Sequence, residues 1–318
     1  MSGPPHASEL ALEVKNLSKS YGSSPGVFDV NLTVGKGTVH GFLGPNGSGK
    51  TTTMKCVMGL LRKTSGRIRL FGEEPRGDAI QLKKRIGYLS ELPSFPSYLR
   101  GREVLLTYGR IRGIDGTRLA EESRELLHKV GLDDAAEMAV GKYSRGMKTR
   151  LSLAVALLGE PDLLMLDEPT EGLDPIGVTA VREMLKRLVS EGHTVLLSSH
   201  QLSEVHQICG AVTIVNKGRT VSEGRVADLA KRLQGGVVYK AEFDILGPSL
   251  KEGISQMDDV LETRVLHDNV IRILVSEEYD IRPDLARTAT EYGSLLLTCE
   301  REEASLEELF MSLVKASD

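Results

Sequence analysis

A glycine-rich segment, GPNGSGKTT at residues 44–52, has the residue types and spacing of a phosphate-binding loop. Its glycines let successive backbone N–H groups point into one concavity, where they bind phosphate oxygens. Lys50 adds a positive charge for the outer phosphates, and the Thr51 hydroxyl can ligate Mg²⁺. A plain glycine-rich turn is the alternative, but the segment lies between a predicted strand and a predicted helix, as phosphate binding requires. The predicted phosphate-binding residues are Gly44, Asn46, Gly47, Ser48, Gly49, Lys50, Thr51 and Thr52.

Two acids follow an apolar run in LLMLDEPT, residues 163–170. Asp167 comes at the carboxyl end of the predicted strand, where ligands bind in open α/β sheets, and it can hold Mg²⁺ through water. Its neighbour Glu168 points elsewhere and can orient or deprotonate an attacking water. A solvated strand end is the alternative, and the phosphate loop upstream argues against it.

Two ring side chains are further candidates. His200 follows LLSS at the end of a second predicted buried strand, so it could reach a terminal phosphate, although a lone histidine there is more often structural. Tyr21, upstream of the phosphate loop, could stack on a base or pack in the core.

The segment YSRGMK, residues 143–148, predicts the start of a helix with Ser144 as its N-cap. Three basic residues lie in its first two turns, where the positive end of the helix dipole disfavours them. This helix start therefore calls for a negative partner. A surface helix with scattered basic residues is the alternative.

The elements that must position these residues follow from apolar patterning. Residues 10–14 and 30–34 alternate apolar with polar side chains, which predicts half-buried strands. The runs TVHGFLG, LLMLDE, TVLLSSH and VTIVN alternate with helical stretches, which indicates a buried parallel sheet and an α/β fold class. Residues 93–150 read as a mostly helical insertion. Beyond a linker at 233–238, the predicted order β-α-β-β-α-β and a last helix starting at SLEE suggest a small ferredoxin-like domain.

Composition and charge narrow the class of protein. The 318 residues favour two domains, and the net charge of −4 argues against bulk electrostatic binding to nucleic acid. Three cysteines far apart in sequence favour reduced thiols in a cytosolic protein over disulfides or a zinc site. Apolar runs such as LLML are too short to span a bilayer, and MSGPPHASEL lacks the features of a signal peptide. We therefore expect any membrane span to belong to another chain.

Together these motifs resemble those of the ATP-binding subunit of ABC transporters, in family order over residues 10–232. GPNGSGKTT looks like Walker A, LLMLDE like Walker B, and GLD at 172–174 like the D-loop. YSRGMK occupies the place of the family signature, usually L-S-G-G-Q. His200 resembles the switch histidine and Tyr21 the adenine-stacking aromatic residue. The C-terminal extension is similar, more weakly, to that of the drug- and sodium-efflux ATPases.

The resemblance implies a P-loop NTPase (RecA-like) core with an inserted helical subdomain at about 93–150, plus a small C-terminal α+β domain. The implied domains are an ABC ATPase domain at 1–232 and an accessory domain at 237–318. ATP and Mg²⁺ are the implied cofactors. Besides the phosphate loop, the resemblance assigns ATP contacts to Tyr21, Glu91, Ser144, Gly146 and Asp174, metal contacts to Thr51, Asp167 and Glu91, and catalysis to Glu168 and His200.

In this family two subunits face head to tail, and each ATP is held by Walker A of one chain and the signature helix of the other. The resemblance therefore implies a homodimer in which Ser144 and Gly146 complete the site of the partner subunit. Arg145 stands where the family has its first signature glycine, and Met147 where it has glutamine. We expect the signature to remain competent, because a basic residue beside an anion site is favourable.

Glu91 is a second departure from the family pattern. The family usually has glutamine at this position, and that glutamine reaches Mg²⁺ and senses the membrane partner. A carboxylate can also ligate Mg²⁺, or Glu91 is a solvated loop acid. In the following LPSFPSYLRG, Phe95, Tyr98 and Leu99 either cap the local core or line the groove for a permease helix.

We therefore predict the ATPase subunit of an ABC exporter, cytoplasmic and held on the cytoplasmic face of the cell membrane by transmembrane permeases. The first rival is an ABC-type ATPase of translation or DNA repair. A single cassette argues against an ATPase of translation. Residues 93–150 leave no room for a long heptad insertion, which argues against an ATPase of DNA repair. The second rival is a nucleotide-gated regulatory module without turnover, which Glu168 and His200 argue against.

Overall fold

The computed structural model describes residues 9–22, 24–91, 94–201, 205, 207–226, 228–229, 236–276 and 279–302. The chain divides into two compact units between Gly224 and Arg225. The linker predicted at 233–238 lies farther along the chain, and its first half, 233–235, is outside the described residues. In the described part, no helix is both long enough and apolar enough to cross a membrane.

One sheet of the first unit has three antiparallel strands in the order β2-β1-β4. These strands are β1 Leu10–Tyr21, β2 Ser24–Gly35 and β4 Ser65–Leu70. The alternation predicted for the first two is confirmed, because Leu12 pairs with Val34 and Val14 with Leu32, and all four side chains are buried.

The second sheet of this unit has six strands in the order β5-β6-β7-β3-β8-β9. Their bounds are β3 Val39–Leu43, β5 Ile86–Leu89, β6 Leu163–Asp167, β7 Thr194–Ser199, β8 Ala211–Asn216 and β9 Arg219–Arg225. The strands from β5 to β8 in this order pair in parallel. Every residue of β3, β6 and β7 is buried, as expected for strands inside a parallel sheet.

The helices of the first unit are α1 Lys50–Val57, α2 Ile80–Lys84, α3 Gly101–Arg112, α4 Gly116–Lys129, α5 Arg145–Leu157 and α6 Pro175–Ser190. The predicted helical insertion is confirmed by α3, α4 and the start of α5. The buried face of α4 consists of Leu119, Ser123, Leu126 and Leu127, as the spacing predicts. Gly131 follows the helix with φ +65°, the left-handed conformation that ends helices.

The second unit has the predicted order β-α-β-β-α-β, with strands in the order β11-β12-β10-β13, all pairing antiparallel. Its elements are β10 Val237–Phe243, α7 Pro248–Ser255, β11 Val260–His267, β12 Val270–Val275, α8 Arg282–Glu291 and β13 Leu296–Glu302. Tyr239, Ala241 and Phe243 are buried, as their alternation predicts, but Ile245 lies beyond the end of β10 and is 64% exposed. The predicted last helix lies outside the described residues.

Candidate functional site

The candidate residues lie at one edge of the six-stranded sheet. Four strands that are neighbours in the order β5-β6-β7-β3 run in parallel, so their carboxyl ends meet at that edge. Glu91 comes soon after β5, and Glu168, His200 and Gly44 directly follow β6, β7 and β3. Four loops that are distant in sequence thereby come together.

The phosphate loop runs from the end of β3 to the start of α1 at Lys50. Gly49 is its N-cap, with φ +104°, a conformation that favours glycine. At Gly44 a side chain has no room, because a Cβ would lie 2.4 Å from the carbonyl oxygen of Val215. The glycines therefore allow both the turn and its close packing on the adjacent strand.

Lys50 folds back over this loop and is buried. Its Nζ donates to the carbonyl oxygen of Gly44 at 2.7 Å and to that of Pro45 at 3.3 Å. The same nitrogen lies 3.3 Å from Oε1 of Glu168 in an ion pair. The ammonium charge is therefore held at the centre of the loop by both carbonyls and a carboxylate.

Glu168 lies between the phosphate loop and His200. Its backbone has φ +49°, which costs a non-glycine residue about 1–2 kcal/mol. Oε2 of its buried carboxylate lies 3.0 Å from Nδ1 of His200. The two neighbouring acids therefore have different partners, Ser198 for Asp167 and both Lys50 and His200 for Glu168.

Asp167 is completely buried at the end of β6. Oδ1 accepts a 2.6 Å hydrogen bond from Oγ of Ser198, whereas Oδ2 has no hydrogen-bond partner among the described residues. An unpartnered buried carboxylate oxygen fits a cation site, because such a group is otherwise costly to bury. The described residues contain no cluster of three or more His, Cys, Asp or Glu that could hold a metal alone. Mg²⁺ sites commonly combine one or two carboxylates with substrate phosphates, so the two observations agree.

A cleft of about 550 Å³ opens above the phosphate loop. Its lining residues are Gly26, Asn46, Gly47, Gly49, Lys50, Thr51, Thr52, Glu91, Glu168 and Glu171. Glu91 is exposed to solvent but shares this cleft with Thr51. Burial, together with the charges of Asp167 and Glu91, raises the pKa of Tyr88 to about 12.

Tyr21 and Asp174 are among the predicted ligands that lie outside that lining. Tyr21 is 43% exposed at the end of β1, with Nζ of Lys19 5.0 Å from its ring centroid, so the alternative of core packing is wrong. Asp174 is the N-cap of α6, and its carboxylate accepts from the backbone N–H of Gly177 at 2.7 Å.

The predicted signature segment begins α5. Ser144 is its N-cap and accepts from the backbone N–H of Met147 at 3.2 Å. The guanidinium of Arg145 lies directly over Gly172, where a Cβ would be 2.2 Å from Cζ. The start of α5 and the GLD segment are thus in contact within one chain.

Sequence reasoning missed Ser198, whose hydroxyl connects β7 to Asp167 at the end of β6 and to Glu168 after it, and Tyr88, whose buried hydroxyl lacks a partner among the described residues. A signal for Ser198 was present, because a hydroxyl in a strand that is predicted to be buried needs a hydrogen-bond partner.

Comparison with known proteins gives the same assignment. The family model described as ABC transporter matches residues 27–171. A bacitracin transport ATP-binding protein of Bacillus licheniformis is 36% identical over 304 residues, covering 95% of this chain and 97% of that protein. A daunorubicin/doxorubicin resistance ATP-binding protein of Streptomyces peucetius is 33% identical over 309 residues, covering 95% of this chain and 92% of that protein.

Among solved structures, an ATP-binding subunit of an ABC transporter matches 70% of this chain and 93% of its own, with a TM-score of 0.64 and 28% identity. Subunits of this kind bind and hydrolyse ATP and work with transmembrane permeases. The fold, the loop and the full-length relatives agree, and the chain therefore belongs to the family of ATP-binding subunits of ABC transporters.

Proposed function

We propose that this chain is a Mg²⁺-dependent ATPase whose two copies close around ATP and drive an export permease. The observation that carries the proposal is the position of Glu168, which lines the cleft and is held between Lys50 of the phosphate loop and His200. A potential base therefore lies next to a phosphate-binding group.

The phosphate loop supplies the binding energy for ATP. The phosphates attract the ammonium of Lys50, whose partners in the described part of the chain are two carbonyls and Glu168. As Lys50 turns to the phosphates, Oε1 of Glu168 loses its ion-pair partner. Binding of ATP and release of the Glu168 carboxylate from Lys50 are thereby one event.

Thr51, Asp167 and Glu91 would hold Mg²⁺, with the unpartnered Oδ2 of Asp167 as the buried ligand. When bound, the ion neutralises negative charge on the phosphate oxygens. Burial of Asp167 makes its vacant oxygen a strong attraction for a cation.

The freed Glu168 carboxylate orients a water and accepts its proton while the water oxygen bonds to the terminal phosphorus. The bond from that phosphorus to the bridging oxygen breaks, and ADP leaves. His200 contacts Glu168 now, and its ring can also donate to the departing phosphate.

Closure requires a second copy. Ser144 and Gly146 at the start of α5 would meet the terminal phosphate in the partner's site, where helix N–H groups suit an anion. Tyr21 would lie next to the adenine base of ATP, and Asp174 would lie next to the site of the partner subunit. Domain limits of 1–232 and 237–318 belong to the same proposal.

The permease would dock beside the exposed Tyr98 and hold the chain on the cytoplasmic face of the membrane. Tyr98 is 78% exposed, and nearby Phe95 contacts Tyr108 edge-on at 5.8 Å. The named functions of the relatives, bacitracin transport and daunorubicin resistance, support efflux as the direction.

A phosphate-release assay tests the proposal. The purified chain, with ATP and Mg²⁺, should release phosphate, and vanadate should inhibit it by mimicking the phosphate. Lys50→Ala is the matched control, because it removes the ammonium from the same loop. Binding of ATP without any release would favour a regulatory nucleotide-gated module instead.

A further inference from the structure

One hydroxyl connects the two acids of the site. Oγ of Ser198 on β7 donates to Oδ1 of Asp167 at 2.6 Å and accepts from the backbone N–H of Glu168 at 3.0 Å. Ser198 is completely buried, and it lies directly opposite Asp167 in the parallel pairing of β6 with β7. The Ser198 hydroxyl therefore donates its hydrogen to Asp167 and uses one of its acceptor sites for Glu168, the next residue in the chain.

Both bonds act on features that the proposed reaction needs. The bond to Oδ1 fixes the carboxylate of Asp167 so that Oδ2 is the oxygen left open. The bond from Glu168 stabilises a residue whose φ of +49° is unfavourable. A hydroxyl on the neighbouring strand therefore sets the direction of both side chains.

We propose that Ser198 is a positioning residue that holds the metal-binding acid and the base in register. This inference rests on the proposed function. Ser198→Ala removes both bonds without adding bulk, whereas Ser198→Thr keeps the hydroxyl. Ser123→Ala is the matched control, because Ser123 is equally buried on α4 and its hydroxyl has no partner among the described residues.

Steady-state kinetics and Mg²⁺ titrations of nucleotide binding are measured on the full chain. In Ser198→Ala, kcat should fall by roughly tenfold to a hundredfold, the factor for losing a hydrogen bond to a charged group. The Mg²⁺ concentration for half-maximal binding of a fluorescent ATP analogue should rise several-fold, while its binding in EDTA should be unchanged. Ser198→Thr should recover most of both effects, and Ser123→Ala should match the parent.

A double variant shows whether Ser198 acts through Asp167. In an Asp167→Asn background, adding Ser198→Ala should change the Mg²⁺ titration far less than it does alone. Equal effects in both backgrounds, or a Ser198→Ala chain with the parent's kcat and Mg²⁺ dependence, would overturn the inference. A parent that binds ATP and Mg²⁺ but does not hydrolyse ATP would refute the proposed function, and the Mg²⁺ titration would still test Ser198.

An independent feature concerns the second unit. β11 is at the edge of its sheet, and its side chains Leu261, Val265 and Leu266 are 57%, 43% and 42% exposed. An open edge with exposed apolar residues is a template for pairing with another strand. Two exposed charges of opposite sign, Glu262 and Arg264, flank Thr263 on this edge, and no ion pair holds either of them among the described residues.

The strand is complementary to itself. In an antiparallel pair centred on Thr263, Glu262 of each copy lies opposite Arg264 of the other, and Leu261 lies opposite Val265. Within one chain, Arg264 lies opposite Arg272 of β12, whose guanidinium is paired with Glu302 at 2.7 Å. A second copy would place a carboxylate on the open side of Arg264.

From this complementarity we infer that β11 pairs with β11 of a second copy, joining the two sheets. Cross-linking tests the register, because Thr263 then faces itself. With Cys299→Ser as background, Thr263→Cys should form a disulfide-linked dimer under mild oxidation without nucleotide. Lys240→Cys, exposed on the central strand β10, is the control and should not.

Charge reversal then tests the pairing. Glu262→Arg in the Thr263→Cys chain should reduce cross-linking at least fivefold, because arginines would face arginines. The double change Glu262→Arg with Arg264→Glu should restore it. Absence of the Thr263→Cys dimer, or no recovery in the double variant, would overturn this interface.

Discussion

Nζ of Lys50 lies 3.3 Å from Oε1 of Glu168, so the cation of the phosphate loop and the candidate base form an ion pair with each other. Both side chains are buried, and the pair therefore lies in a medium that strengthens it relative to water. Under the proposed function, phosphate and Glu168 compete for this one ammonium. Nucleotide affinity and readiness of the base are consequently linked.

The link gives the first prediction. Glu168→Gln should keep or modestly tighten ATP binding, because the amide no longer competes for Lys50 with a full charge. Turnover should fall by roughly 10²–10⁴-fold if the carboxylate is the general base. Phosphate release and equilibrium nucleotide binding measure the two effects separately, and size exclusion should show an ATP-bound dimer.

Glu171→Gln is the control, since Glu171 lines the same cleft without contacting Lys50 or His200 in the described residues. Glu171→Gln should lower turnover far less than Glu168→Gln does. Near-normal turnover in Glu168→Gln would remove Glu168 from the role of base.

The second prediction concerns Glu91. If its carboxylate contributes to Mg²⁺ binding, Glu91→Ala should raise the Mg²⁺ concentration for half-maximal ATPase activity, with little effect on nucleotide binding in EDTA. Glu91→Gln restores the residue that the family usually has. Its Mg²⁺ concentration for half-maximal activity should lie between those of the parent and of Glu91→Ala. An unchanged Mg²⁺ titration would mean that Glu91 is a solvated acid at the rim of the cleft.

The third prediction concerns the helix start at Ser144. Ser144→Arg should leave ATP binding to the single chain nearly intact, because the phosphate loop is unaltered. It should block ATP-dependent pairing, since the larger side chain fills the space of the partner's terminal phosphate. Pairing is measured by sedimentation velocity with and without ATP.

A mixture makes this test sharper. Lys50→Ala has a poor phosphate loop and a good helix start, and Ser144→Arg has the reverse defect. Mixed dimers contain one site with two good halves, so ATP-dependent pairing should be partly restored. If Ser144→Arg alone pairs as the parent does, the start of α5 binds no phosphate.

The fourth prediction is a pH dependence of stability. His40 on β3 is buried, with Nε2 2.8 Å from Oγ1 of Thr213, and burial lowers its pKa from 6.5 to about 4. Below pH 6.5 the unfolded chain takes up a proton that the folded chain does not, so the free energy of unfolding falls as pH drops towards 4. The loss should reach about 3 kcal/mol, an order-of-magnitude figure from 1.4 kcal/mol per pKa unit.

Urea unfolding between pH 7 and pH 4.5 measures this loss. His40→Gln cannot take up that proton and should show a flatter pH dependence, whatever its stability at pH 7. The same change at the exposed His128 is the control and should keep the parent's slope. An equal slope in His40→Gln and the parent would contradict the assignment to His40.

Local patterns predicted much of this arrangement. The glycine spacing fixes the phosphate loop, and the rule that parallel strands end at one edge brings Asp167 and His200 to it. Those inferences need only the order of strands along the chain and their direction.

Other contacts depend on which strands become neighbours, and single-sequence patterns do not carry that information. Ser198 meets Asp167 because β6 and β7 pair in one register, although the two positions are 31 apart in the sequence. Asp174, predicted as a ligand from resemblance, also caps α6, a role that its place before Pro175 would have indicated. The start of α5 was readable from local pattern, because the predicted N-cap Ser144 does cap a helix that begins at Arg145.

The guanidinium of Arg145 resting on Gly172 has a consequence for how these sequences can diverge. Gly172 has φ +66°, and any side chain there would collide with the arginine. The two positions are therefore constrained as a pair. A glycine at 145 would leave Gly172 of the GLD segment uncovered, whereas the arginine lies over it. The large residue in a motif of small ones is thus accommodated by the loop beside it.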